Sequence, residues 1–313
     1  MKRRLLLPLA ILTGALSACS TTKPVDPYQG DQPAYIFAVG HSDLQKGNYD
    51  KAIAAFQSLN SQYPFDDYAK QGYLDLIYAQ YADHNSALAL AAANRFLKLY
   101  PNDPGVAYAY YMRGVVNFDN GRSFLQRYFP YHMAEHDPVE YRNAFQDFTM
   151  VVTQYPNSPY APDARRRMVY LNNTMAQYQL NVAEYYYKMR AYVAAITRAK
   201  VIVLHYSTTP ALQGALVTLV ESYHELNLPL LENSARLLLK ANFPDNALVK
   251  DMPMPALQVV ANATQEMQVS ASVGSGSTKA PTAIPLLTVK TPHPLKIPST
   301  APQRPEHPSN LAE

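Results

Sequence analysis

The 313-residue chain carries 27 basic and 24 acidic side chains, a formal charge of +3, with one cysteine, no tryptophan, 25 tyrosines and 25 prolines. This near balance does not support a nucleic-acid footprint, which needs basic side chains gathered on one face. A lone cysteine rules out an internal disulfide, so the core must hold by packing alone, and at this length it can.

Lys2, Arg3 and Arg4 precede an apolar run from Leu5 to Leu16, followed by the small residues Ser17 and Ala18, the layout of a cleavable export signal over residues 1–18. The run is broken by Pro8 and Gly14 and falls short of the about 20 apolar residues that a membrane span takes. Leu16-Ser17-Ala18-Cys19 resembles the bacterial lipobox. That resemblance implies a diacylglyceryl group on the Cys19 sulfur, cleavage before it and acylation of the new amino group; an ordinary signal-peptidase site beside an incidental cysteine is the alternative. One acyl chain holds a protein to a bilayer only marginally, but two or three, at ~0.8 kcal/mol per buried methylene, make release slow. Ser20 in place of Asp after the cysteine implies the outer membrane, at its periplasmic face. Loss of Lys2, Arg3 and Arg4 takes the formal charge from +3 to 0. Residues 19–32, polar and proline-bearing, read as a flexible tether.

The chain then repeats itself. Tyr49, Ala52, Ile53, Phe56, Leu59, Tyr63 and Pro64 return 92 residues later as Tyr141, Ala144, Phe145, Phe148, Val151, Tyr155 and Pro156. A shift of 37 gives Ala89, Leu90, Ala93, Phe96, Tyr100 and Pro101, a shift of 143 gives Tyr192, Ala195, Ile196, Ala199, Ile202 and Tyr206, and a shift of 180 keeps only Leu239, Phe243 and Pro244. Offsets of 3, 4, 7 and 10 place these residues on one helical stripe, and the proline past the end stops the helix. Each copy is the second helix of a pair whose first helix precedes it: Pro33 to about Lys46, Asp67 to Tyr81, Pro104 to about Phe118, Pro162 to about Lys188 and Pro210 to about Leu226. Gly40, the turn Gly47-Asn48-Tyr49, Ala52, Phe56 and the exit Pro64 make the first pair resemble a tetratricopeptide repeat. The expected fold is all-α: a right-handed α-solenoid of about five such pairs over residues 33–246, with a concave groove suited to peptides or other proteins. The degraded last copy suits a capping repeat.

Between the second and third copies, His132-Met133-Ala134-Glu135-His136 matches the inverted zinc-protease pattern H-x-x-E-H. Pro130 and Pro138 leave about one helical turn for it, and a residue before proline avoids helix, so no metal site is expected. His205 and His224 stand alone on apolar helices and read as packing residues. Residues 247–269 are ambiguous, with a short helix after Pro255 as one reading. Residues 270–313, rich in Pro, Ser and Thr, are expected to be disordered, with a polyproline habit.

The stretches "YPFDDYAKQGYLDLIYA" at 63–79, "YMRG" at 111–114, "DP…AFQDF…YPNSPY" at 137–160 and "VAEYYYKMRAYVAAITR" at 182–198, behind a lipobox and a tether, resemble the BamD family. These are the tetratricopeptide lipoproteins of the outer-membrane β-barrel assembly machine. The resemblance implies a protein that is not an enzyme and needs no cofactor beyond the acyl groups on Cys19. Its first repeats would receive unfolded outer-membrane barrel precursors, its last repeats would dock the periplasmic domain of BamA nearest the barrel, and BamC and BamE would bind alongside. It further implies Arg198, in "AAITR", as a BamA contact that would form a charge-assisted pair with an acidic partner. Tyr185 of "AEYYY" would stand at an interface, and Arg113 of "YMRG" would line the groove. Packing within the repeats is the alternative for the last two, and a solvated charge for Arg198. A peptidoglycan-associated scaffold lipoprotein would share the same organisation, and the tail departs from the family's usual ending.

Overall fold

The computed structural model describes residues 26–121, 139–253 and 259–265. Among these the chain is all-helical, without strands: α1 (Pro33–Gln45), α2 (Tyr49–Gln62), α3 (Asp67–Ala82), α4 (Ser86–Leu99), α5 (Val106–Asn120), α6 (Val139–Gln154), α7 (Ala161–Lys188), α8 (Tyr192–His205), α9 (Ala211–Glu225), α10 (Pro229–Asn242) and a short α11 (259–265). The boundaries agree with the expected stretches to a residue or two. The leader, Cys19 and the 132–136 motif lie outside the described residues.

The helices form two compact units, one ending at Asp83 and the other beginning at His84, so the division falls within the second expected pair. In the first unit α1, α2 and α3 pack on one another, and in the second each helix from α4 to α10 packs on the next in chain order. The repeated stripe explains this. Ala52, Phe56 and Leu59 are buried in the first unit, and Ala89, Ala93, Phe96, Tyr141, Ala144, Phe148, Val151, Ala195, Ala199 and Ile202 in the second. Burying each large side chain contributes about 1.5–3 kcal/mol. Helices approach closely where a glycine faces an aromatic ring: a Cβ on Gly114 would stand 2.7 Å from Phe148 Cε1, and one on Gly40 2.8 Å from Phe56 Cε1.

Two kinds of turn alternate along the chain. In four of the five pairs, the first helix ends in a left-handed residue: Gly47 (φ 76°), His84 (59°), Arg190 (58°) and Asn227 (54°). There Asn48 N donates to Asp43 O at 2.9 Å, Ala191 N to Tyr186 O at 2.9 Å and Leu228 N to Tyr223 O at 3.0 Å, the long bond of a Schellman ending. Between pairs, the template aromatic closes its own helix and its carbonyl accepts from the residue three further on. Tyr63 pairs so with Asp66 (3.1 Å), Tyr100 with Asp103 (3.2 Å), Tyr155 with Ser158 (3.0 Å), Tyr206 with Thr209 (3.0 Å) and Phe243 with Asn246 (3.1 Å). Four of these polar side chains then accept from a backbone N–H two residues on: Asp66 from Tyr68, Asp103 from Gly105, Ser158 from Tyr160 and Asn246 from Leu248. Each thus satisfies a donor that the start of a helical turn leaves open.

Both ends of the array are closed by polar bonds. At the start, residues 26–31, the last part of the expected tether, are tied to α2. Ser58 Oγ donates to Asp26 Oδ2 at 2.6 Å, Gly30 N to Gln62 Oε1 at 3.0 Å, Gln62 Nε2 to Tyr28 O at 2.9 Å and Tyr63 Oη to Asp31 O at 2.8 Å. At the other end, Arg236 takes the slot of Phe56, bonding Glu232 and the Leu248 carbonyl, while Lys240, 6% exposed, donates to the Lys250 carbonyl at 2.9 Å. These bonds hold the segment after Asn246, a run of turns in which Val249 N and Lys250 N donate to Asn246 O and Met252 N to Val249 O.

Candidate partner-binding surfaces

One template slot carries unusual chemistry. In the first, second and fifth copies it holds Ala55, Ala92 and Ala235, all buried, but in the third it holds Asp147 and in the fourth Arg198. A charge placed where alanine meets the neighbouring helix must find a partner or reach solvent.

Asp147 finds a partner. It is buried on α6, and Arg113 of α5 reaches it through Nε at 2.9 Å and again through Nη2, while Asn117 Nδ2 donates to its other oxygen at 3.2 Å. Arg113 also donates to Asn94 Oδ1 on α4 at 2.6 Å and lies 5.1 Å from the Tyr110 ring centroid. Burial pushes the Asp147 carboxyl up, and Arg113 and Asn117 offset part of the shift. The guanidinium that "YMRG" marks as a groove residue therefore links three helices.

Arg198 reaches solvent. It is exposed on α8 and touches Gln179 Oε1 of α7 at 3.4 Å. Tyr185 is also on α7, 59% exposed, edge-on to Tyr186 with ring centroids 5.9 Å apart. Six residues separate Gln179 from Tyr185, about 9 Å of rise and about 120° around the helix, so Arg198 and Tyr185 share a hairpin without sharing a face. Sequence reasoning missed the apolar surface beside Tyr185: Met189 is 63% and Val193 67% exposed at the α7–α8 turn. Met189 follows Tyr185 at helical spacing, which was legible. A second network, also missed, joins α5 to α7: Tyr111 Oη donates to Asp163 Oδ2 at 2.9 Å, and Arg167 and Arg166 both bond the same carboxylate. Burial pushes Asp163 up, but the hydrogen bonds and charges of Arg167, Tyr111 and Arg166 outweigh it and hold the group below its ordinary value.

The family model described as outer membrane lipoprotein matches residues 29–237. The chain is 36% identical over 249 residues to the outer membrane protein assembly factor BamD of Neisseria meningitidis serogroup B, covering 76% of this chain and 93% of that protein. It is 37% identical over 223 residues to the factor of the same name from Vibrio cholerae serotype O1, covering 71% and 90%. The chain belongs to the BamD family. It is therefore an outer membrane lipoprotein and a non-catalytic assembly factor. The BamD relative from Xylella fastidiosa Temecula1, 30% identical over 265 residues, covers 85% of this chain. The family match ends inside α10, so α11 and the tail lie beyond it.

Proposed function

We infer that the chain is lipidated at Cys19, held to the periplasmic face of the outer membrane, and serves the β-barrel assembly machine by binding other proteins. Its second unit docks BamA through the α7–α8 hairpin, with Arg198 pairing an acidic side chain and Tyr185 and Met189, around the hairpin from it, supplying a separate apolar contact, while BamC and BamE bind alongside. Its first unit receives unfolded barrel precursors. The observation that carries this reading is the exposed guanidinium of Arg198, standing on the family's matched region in a slot that three other copies fill with alanine. An exposed charge so placed is available to a partner, and a desolvated pair there would be stronger than one in water.

The test is mass-spectrometric identification of what co-purifies with the tagged chain from mild-detergent extracts of its own outer membrane. Arg198→Glu should reduce recovery of a BamA-like barrel at least tenfold while leaving the helical spectrum unchanged, and Cys19→Ala should move the protein out of the membrane fraction. Recovery of cell-wall material and no barrel protein would replace this reading with the scaffold one.

A further inference from the structure

In the second unit a groove of about 470 Å³ runs between α7 and α9. Its walls include Tyr187, Pro210 and Val217, with the carboxylates of Glu184 and Glu221 on facing helices and Lys188 beside them. Among the described residues neither glutamate has an ion pair. Burial pushes the Glu221 carboxyl up and the Glu184 charge pushes the same way, so two like charges face each other across the groove. An aromatic ring, a proline, an aliphatic wall and paired acids form the surface that an extended, proline-bearing, cationic peptide fits: the rings take proline faces and the acids take Lys or Arg.

The chain carries such a peptide. Between Glu266 and Glu306 there is no acidic residue, but there are four cations, Lys279, Lys290, Lys296 and Arg304, and "PHPLKIP" at 292–298 places a lysine among three prolines. The last described element, α11, packs through Val260 and Ala263 on the same core as Leu180, Ala183 and Val220 of α7 and α9. A flexible chain of 27 residues, the number from 265 to 292, has an end-to-end distance of about 30 Å, and α11 sits on the core that α7 and α9 build together. A tether of that length supplies an effective concentration of about 1 mM, so even a millimolar site would be half filled.

We propose that the groove between α7 and α9 is a docking site for the chain's own tail, residues 285–304, with Glu184 and Glu221 receiving its lysine and arginine side chains. Arg198 is not among the residues that line the groove, and the inference does not depend on BamA docking there.

The test uses the full mature chain with Cys19→Ser and Ser299→Cys, a nitroxide on the new thiol and amide NMR as the readout. The amide signals of Gln213, Gly214, Val217 and Glu221 should fall at least twofold relative to the reduced label. They should recover when Lys290, Lys296 and Arg304 are changed to Gln, and also in the Glu184→Gln/Glu221→Gln chain. An unchanged amide spectrum outside the groove separates recovery in the tail variant from unfolding. Diluting labelled into unlabelled chain should leave the loss per labelled molecule unchanged. Unattenuated groove amides overturn the proposal, as does attenuation that survives removal of the tail cations. Attenuation that appears instead on the unlabelled chain would assign the groove to a second copy's tail and overturn it as well.

Discussion

Arg113 and Arg198 look alike in sequence, each a lone arginine on an amphipathic helix, yet one is bound to a buried acid and the other is exposed. The difference lies in the neighbouring slot. Arg113→Ala leaves Asp147 buried without its charge partner, and the expected loss is about 3 kcal/mol in chemical denaturation. Burial already raises the Asp147 carboxyl, so the folded variant takes up a proton more readily than the unfolded chain does. Part of the loss should therefore return as the pH falls from neutral toward ~4, the ordinary carboxylate range. Asp163 behaves in the opposite sense: its lowered value stabilises the fold above the ordinary carboxylate pKa, and that contribution disappears as the pH falls through the lowered one. Asp163→Asn should cost about 1–3 kcal/mol at neutral pH, and its gap to the parent chain should narrow in acid.

At the scale of elements, the helices were legible because one stripe of apolar residues repeats at spacings of 37, 55, 51 and 37, and because an aromatic-proline step ends four of the five copies. Asp66, Asp103, Ser158, Thr209 and Asn246 follow the same spacings, so extending the template by two positions past its proline would have found the turn residues as well. The networks around Asp147 and Asp163 were not legible, since their central bonds, Arg113 to Asp147 and Tyr111 to Asp163, join residues 34 and 52 positions apart whose meeting depends on how helices cross. Nor does the stripe announce that residues 26–31 are bonded to α2, because Ser58 and Gln62 look like ordinary polar-face residues. Among the turns, Arg190 adopts a left-handed conformation that glycine takes without steric cost. Arg190→Gly should raise stability by about 0.5–1 kcal/mol, read as a shift in the denaturation midpoint, the gain being less than the full strain because glycine loosens the unfolded chain.

At the scale of the molecule, the chain divides into two compact units, and in a repeat array opening can stay confined to the part that a mutation weakens. Phe56→Ala empties a fully buried site in the first unit and should cost it about 3–5 kcal/mol. Hydrogen exchange should then accelerate in α1 to α3 while amides in α8 and α9 keep their parent rates; equal acceleration throughout would mean that the units melt as one. Arg236 and Lys240 add a consequence for life at a crowded surface. Repeat arrays whose last face stays apolar can stack head to tail, and such contacts, never closing on themselves, grow into filaments. Here that face carries two cations already engaged with backbone carbonyls, so another molecule's first helix would have to strip those bonds without replacing them.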